Sequence, residues 1–214
     1  MMVSFYAMNL RRTLDKDDCA YIGENALSHL IEGFSCPSNP EVEHFLKHSS
    51  IEFTKKNQSI TYLVFCNTAH KDILVGYYTL AIKPISVRAS SISRTMERKL
   101  ARVSTLNPDD GTYTAAAYLI TYTAAAYLIA QIGKNFALPK SNRIKGVELL
   151  DLANRRIART QYDFGGVVEF LECEDNPFLL DFYAENGFKA FDRRVTKSTD
   201  EEKPHELVQM LRFI

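Results

Sequence analysis

The chain has 214 residues, enough for one substantial core, and its 46% hydrophobic and 24% charged residues exclude a disordered or fibrous protein. Its 26 Lys and Arg balance 26 Asp and Glu, so no net charge draws it to nucleic acid or membrane, and only a local basic patch can do so. The apolar runs are too short to span a bilayer, and the segment MMVSFYAMNLRRTLDKDD lacks the order of a signal peptide. Cys19, Cys36, Cys66 and Cys173 are scattered without a C-x-x-C pair; this reads as buried free thiols in a cytoplasmic protein and implies no metal site.

Apolar residues Ala20, Ile22, Ala26, Leu27, Leu30 and Ile31 recur at helical spacing and predict a helix over 15–32, stopped by Gly33. A second helix begins at Pro40, with Asn39 as its cap and Val42, Phe45, Leu46 and Phe53 on its inner face. SITYLVFC (59–66) and ILVGYYTLAI (73–82) are β-branched and aromatic, and predict a hairpin closed around TAHKD and ended by Pro84. Residues 89–104 read as a short helix, with Ile92, Met96, Leu100 and Val103 inward, and NPDDG (107–111) as a turn.

TYTAAAYLI then occurs twice without a difference, from Thr112 to Ile129. Only the second copy runs directly into AQIGKNF, which assigns Ala125–Lys134 to the sheet. A nine-residue offset is odd, so one continuous strand would reverse the faces of the two copies. The first copy, 112–120, therefore reads as a duplicated insert in a single 1–214 domain: an extended surface segment, a hairpin partner or an added helix turn.

A helix from Ser141 carries Ile144, Val147, Leu149, Leu150, Leu152, Ala153 and Ile157 on its apolar side. The remaining order is strand 165–173, helix 176–187 with Asn176 as cap and Pro177 in its first turn, strand 188–195, polar loop 196–205 and strand 206–214. This is a mixed α/β domain, with parallel strands near 127–133 and 167–173 because a helix connects them.

Two segments carry a resemblance: the strand–loop–helix entering NRIKGVELL, and LLDFYAENGF near the C-terminus. Their spacing resembles the Gcn-five-related N-acetyltransferases, the GNAT superfamily. The resemblance implies a mostly antiparallel sheet flanked by helices, with a splayed parallel pair at its centre and acetyl-CoA as cofactor. It places Ile132, Gly133 and Lys134 beside the pantetheine, and Arg143, Ile144, Lys145, Gly146 and Val147 in the diphosphate loop. A helix N-terminus with a glycine suits a diphosphate on physical grounds also. Glu148, however, stands where the family pattern has a small residue; in the first turn it favours an empty helix and repels phosphate.

Tyr183 falls on the position that in this family protonates the departing thiolate. Asn176 is a cap that in the family also contacts the cofactor arm. Glu172 or Glu174, near the end of their strand, could face the site as general base for a primary-amine acceptor, with Glu172 the first candidate; the plainer reading of Glu169, Glu172 and Glu174 is solvated carboxylates on a strand edge. The stretch around Phe34, Cys36, Phe45, Leu46 and Gly76–Leu80 is similar to a toxin-like subgroup that acetylates aminoacyl-tRNA, which implies tRNA and antitoxin as partners. Arg88, Arg94, Arg98, Lys99 and Arg102 form the basic stretch such an acceptor needs. A non-catalytic acyl-CoA-binding or partner-binding module is the alternative; monomer and homodimer both stay open.

Overall fold

The computed structural model describes residues 4–68, 72–102, 104–115, 126–196 and 205–214. These fall in two compact units, one built from residues up to 81 and 130–156, the other from 82–129 and 157–214. The elements are β1 (Ser4–Asn9), α1 (Leu10–Leu14), α2 (Glu24–Glu32), α3 (Pro40–His44), α4 (Ser50–Lys55), β2 (Ile60–Asn67), β3 (Asp72–Lys83), β4 (Ile85–Arg88), α5 (Arg94–Leu100), β5 (Leu106–Asn107) and β6 (Thr112–Ala115). They continue with β7 (Ala126–Lys134), α6 (Gly146–Phe164), β8 (Val168–Glu174), α7 (Pro177–Glu185), β9 (Lys189–Thr196) and β10 (His205–Phe213). The large sheet has the order β1-β2-β3-β7-β8-β10-β9, and a small one has β4-β6-β5.

In the first unit, β1 pairs antiparallel with β2 and β2 with β3. Under them lies a core of Leu10, Leu27, Ile31, Phe34, Leu46, Leu63 and Tyr77. The strand β1 was not foreseen, and of the helix expected over 15–32 only 24–32 forms, as α2, with a break over 15–23. Asp18 explains the break: its carboxylate accepts from Ala20 N and from the Arg12 guanidinium, and it folds the chain into a turn. Gly23 then enters α2 at φ 80°, which a side-chain-bearing residue rarely adopts. Asn39 caps α3 by accepting from Val42 N, as its position before Pro40 implies. A π-helical turn, Phe45–Ser49, joins α3 to α4.

Gly133 is fixed by this core. A Cβ there would collide with Val42 and press on Phe34 and Tyr77. Asn135, which the sequence reading passed over, is 4% exposed and ties three segments together. Its Oδ1 accepts from Ser35 N and Ala137 N, and its Nδ2 donates to Leu74 O. Such a buried amide, bonded through both its oxygen and its nitrogen, fixes the exit of β7.

In the second unit, β7 and β8 run parallel with register Ala126–Val168 to Ile129–Leu171. Antiparallel β10 follows β8, and β9 follows β10. The parallel pair agrees with the expectation from the connecting helix. The strand expected from 165 starts at Val168, because Gly165 and Gly166 turn the chain at φ 75° and 104°. The helix expected over 89–104 shortens to α5, capped by Ser93, whose hydroxyl accepts from Met96 N.

The repeat is divided between two sheets. Thr112–Ala115 of the first copy pairs antiparallel with β4, and its start also pairs antiparallel with β5. Ala126–Ile129 of the second copy enters the large sheet. The rest of both copies lies outside the described residues. Removing any nine-residue window within 112–129 yields the same protein, in which β6 meets β7 through a single alanine. We predict that the 116–124 deletion folds, with a thermal midpoint within about 5 °C of the parent, since a change in the length of a connecting segment costs little. Differential scanning calorimetry checks this; loss of a cooperative transition would assign the duplicate a structural role.

Candidate functional site

The described residues of the first unit carry the cofactor-type candidates. Strand β7 continues to Lys134, five residues beyond the last parallel pair at Ile129–Leu171. Ile132 and Lys134 are half-buried, and the Lys134 ammonium lies over the Phe136 ring, 5.4 Å from its centroid. The loop after β7 leads through Lys140–Asn142 into α6 at Gly146.

Arg143 serves this loop internally. Its Nε donates to Leu138 O and its Nη2 to Phe136 O, both at 2.8 Å, and its guanidinium stacks 5.0 Å from the Phe136 ring. Ile144 is buried in the core, whereas Lys145 is exposed and Val147 is 49% exposed. At the mouth of α6, Glu148 reaches back so that its Oε2 accepts from Lys145 N at 2.8 Å. Lys145 O accepts the first helical bond, from Leu149 N. Glu148 is thus the returning arm of a capping box. The amides of Gly146, Val147 and Glu148 have no acceptor among the described residues, the state of a helix start open to an anion.

The second unit carries the acid–base candidates. Asn176 caps α7 by accepting from Phe178 N at 3.0 Å, with Pro177 in the first turn. Tyr183 follows, 7% exposed, with edge-on contacts to Phe182 and Phe188. Its hydroxyl makes no hydrogen bond among the described residues. Burial, with a smaller contribution from Cys173, raises the phenol well above its ordinary value, so it is held protonated. The same burial pushes the Cys173 thiol up to about 11.

Glu172 lines a cleft of about 290 Å³ with Lys83, Ser86, Leu128, Phe170, Asp192 and Arg194. Its carboxylate accepts from Gln209 Nε2 at 2.7 Å and from Arg194 at 3.3 Å. Arg194 and Gln209 were not anticipated; their alternation along β9 and β10 opposite β8 was the available signal. The Glu172 carboxylate is therefore anchored within a mixed-charge cleft rather than freely solvated.

Glu169 corrects the expectation of a solvated carboxylate, because its side chain is fully buried. Arg212, its direct cross-strand partner, donates from Nε and Nη2 at 3.1 and 2.9 Å, and also donates from Nη1 to Asn186 O. Glu169 Oε1 is left without a partner among the described residues. Cys19 is a second correction: it is exposed, while Cys36, Cys66 and Cys173 are buried. Arg88, Arg94, Arg98, Lys99 and Arg102 are all exposed, and none makes an ion pair among the described residues; Lys99 sits 5.1 Å over the Phe213 ring. No group of metal-binding side chains occurs among the described residues, and no described helix is long and apolar enough to cross a membrane.

The chain superposes on several solved structures over nearly its whole length. A KacT mutant gives a TM-score of 0.57 at 15% identity, covering 97% of this chain and 94% of that one. AtaT complexed with acetyl-methionyl-tRNAfMet gives 0.56 at 14%, with the same coverage of 97% and 94%. Arabidopsis thaliana NAA60, in complex with a bisubstrate analogue, gives 0.50 at 10%, covering 100% and 99%. The chain has the GNAT fold. No protein-family model and no curated protein sequence matches it; the likeness resides in the fold.

The Glu169–Arg212 pair gives this GNAT fold a specific vulnerability. Arg212→Met should cost about 3 kcal/mol, because it leaves a buried carboxylate unpaired. Burial already raises the Glu169 carboxyl above its ordinary value. The folded state therefore binds a proton at a pH where the unfolded chain has released it, and stability falls as pH rises through that window. In Arg212→Met the window extends upward, so the deficit should shrink as pH falls toward the ordinary carboxyl value. Urea melts at several pH values check this; a deficit independent of pH would contradict it.

Proposed function

We propose that the protein is an acetyl-CoA-dependent N-acetyltransferase whose acceptor is a primary amine, with aminoacyl-tRNA as the acceptor class. The observation that carries the reading is Tyr183: a buried phenol, held protonated, with its hydroxyl uncommitted, on a helix capped by Asn176 within the GNAT fold. In support, the solved neighbours include AtaTR bound with AcCoA and AtaT complexed with acetyl-methionyl-tRNAfMet.

The residues present suit the cofactor. Backbone groups of Ile132, Gly133 and Lys134, past the end of the parallel ladder, would pair with the pantetheine. The unpartnered amides of Gly146 and Val147 would hold the diphosphate, with Lys145 adding positive charge and Ile144 and Arg143 fixing the loop from within. When bound, acetyl-CoA supplies a thioester carbonyl open to attack by an amine. Tyr183, kept protonated by its burial, would give its hydroxyl proton to the departing sulfur. Glu172, held in place by Gln209 and Arg194, takes the proton that the amine loses on forming the amide. The five exposed cations from Arg88 to Arg102 would receive acceptor phosphates. An antitoxin is proposed as a second partner on the likeness to AtaT bound to the C-terminus of AtaR.

Tyr183→Phe removes one oxygen and should leave the fold and acetyl-CoA affinity intact while lowering transfer about 100-fold or more. The assay is mass-spectrometric detection of acetylated aminoacyl-tRNA alongside a panel of small amines. Undiminished transfer by Tyr183→Phe would remove the phenol from the mechanism; acetylation confined to small amines would exclude the tRNA acceptor.

A further inference from the structure

Glu148 is the residue of the diphosphate loop that departs from the GNAT pattern, and the structure gives it a task. Its carboxylate is bonded to Lys145 N at 2.8 Å, at the mouth of α6. The neighbouring amides of Gly146, Val147 and Glu148 carry no partner among the described residues. The positive end of a 19-residue helix is thus already served by an anion of the chain itself. Arg143, in the same loop, has Nε and Nη2 directed to Leu138 O and Phe136 O within the chain.

We infer that Glu148 is an internal competitor for the cofactor diphosphate, and that binding of acetyl-CoA requires its carboxylate to leave Lys145 N. The inference rests on the acetyl-CoA reading above and adds a control over affinity to it. On its own, Glu148 stabilises the first turn of α6. When a diphosphate arrives, two negative groups claim one helix start. The carboxylate then turns to solvent, which its half-buried position permits, and the Lys145 amide passes to phosphate. The cost is electrostatic, so it weakens as salt rises. It concerns the diphosphate alone, so acetyl-pantetheine, which lacks phosphate, escapes it.

The test uses the full-length protein and two variants. Glu148→Gln keeps a side-chain acceptor for Lys145 N but removes the charge; Glu148→Ala removes both. Calorimetric titration should show acetyl-CoA binding roughly tenfold tighter to Glu148→Gln than to wild type at low salt, a gap that narrows at high salt. Acetyl-pantetheine should bind both equally. Without ligand, the thermal midpoint of both variants should fall, Glu148→Ala more than Glu148→Gln. Equal or weaker acetyl-CoA binding by Glu148→Gln would overturn the competitor role while leaving the cofactor reading standing. A gain that extends to acetyl-pantetheine would likewise overturn it. Absence of acetyl-CoA binding in wild type and both variants would overturn the cofactor reading and this inference together.

Discussion

The parallel ladder between β7 and β8 is the constraint on which the rest depends. It holds for four residue pairs, Ala126–Val168 to Ile129–Leu171, and then stops while both strands continue. Parallel pairing needs a crossover connection, and α6 supplies it. That requirement brings a helix start to the loop after β7, with amides at Gly146 and Val147 that have no partner among the described residues. One topological demand therefore yields both features that a diphosphate-bearing thioester cofactor needs: strand backbone beyond the ladder and an open helix N-terminus.

Burial then sorts the titratable groups. Tyr183 and Cys173 are both raised, chiefly by desolvation, and remain protonated donors rather than bases. Glu169, one turn of the pleat away from Glu172 on the same strand, is sequestered with Arg212 and serves stability. Glu172 instead lines a cleft and is oriented by Gln209 and Arg194. Carboxylates on one strand thus take separate tasks because β-strand residues of odd and even number face opposite sides.

Much of this was legible in the sequence. The hairpin of β2 and β3, the parallel pair, α7 with its Asn176–Pro177 start and the entry of the second repeat copy into the sheet follow from periodicity and capping chemistry. What escaped was non-local. Strand β1 lacks a decisive alternation, having only exposed and half-buried positions, and forms because β2 offers it an edge. The Glu169–Arg212 pair joins residues 43 apart, and Asn135 reaches Ser35 across 100. Periodicity reports which face a residue occupies, and says nothing about which distant partner waits there. The loop around Arg143 shows the same limit: the motif supplied a cation, and only the fold showed that its Nε and Nη2 donate to Leu138 and Phe136.

The central claim is that acetyl-CoA is held along β7 and the start of α6, with its sulfur served by Tyr183. A crystal structure of the protein soaked or grown with acetyl-CoA tests this most directly. The account predicts pantetheine hydrogen bonds to the backbone of 132–134, a diphosphate on the amides of Gly146 and Val147 with Glu148 turned away, and the sulfur within hydrogen-bond reach of the Tyr183 hydroxyl. A cofactor bound elsewhere, or a sulfur remote from Tyr183, would contradict it.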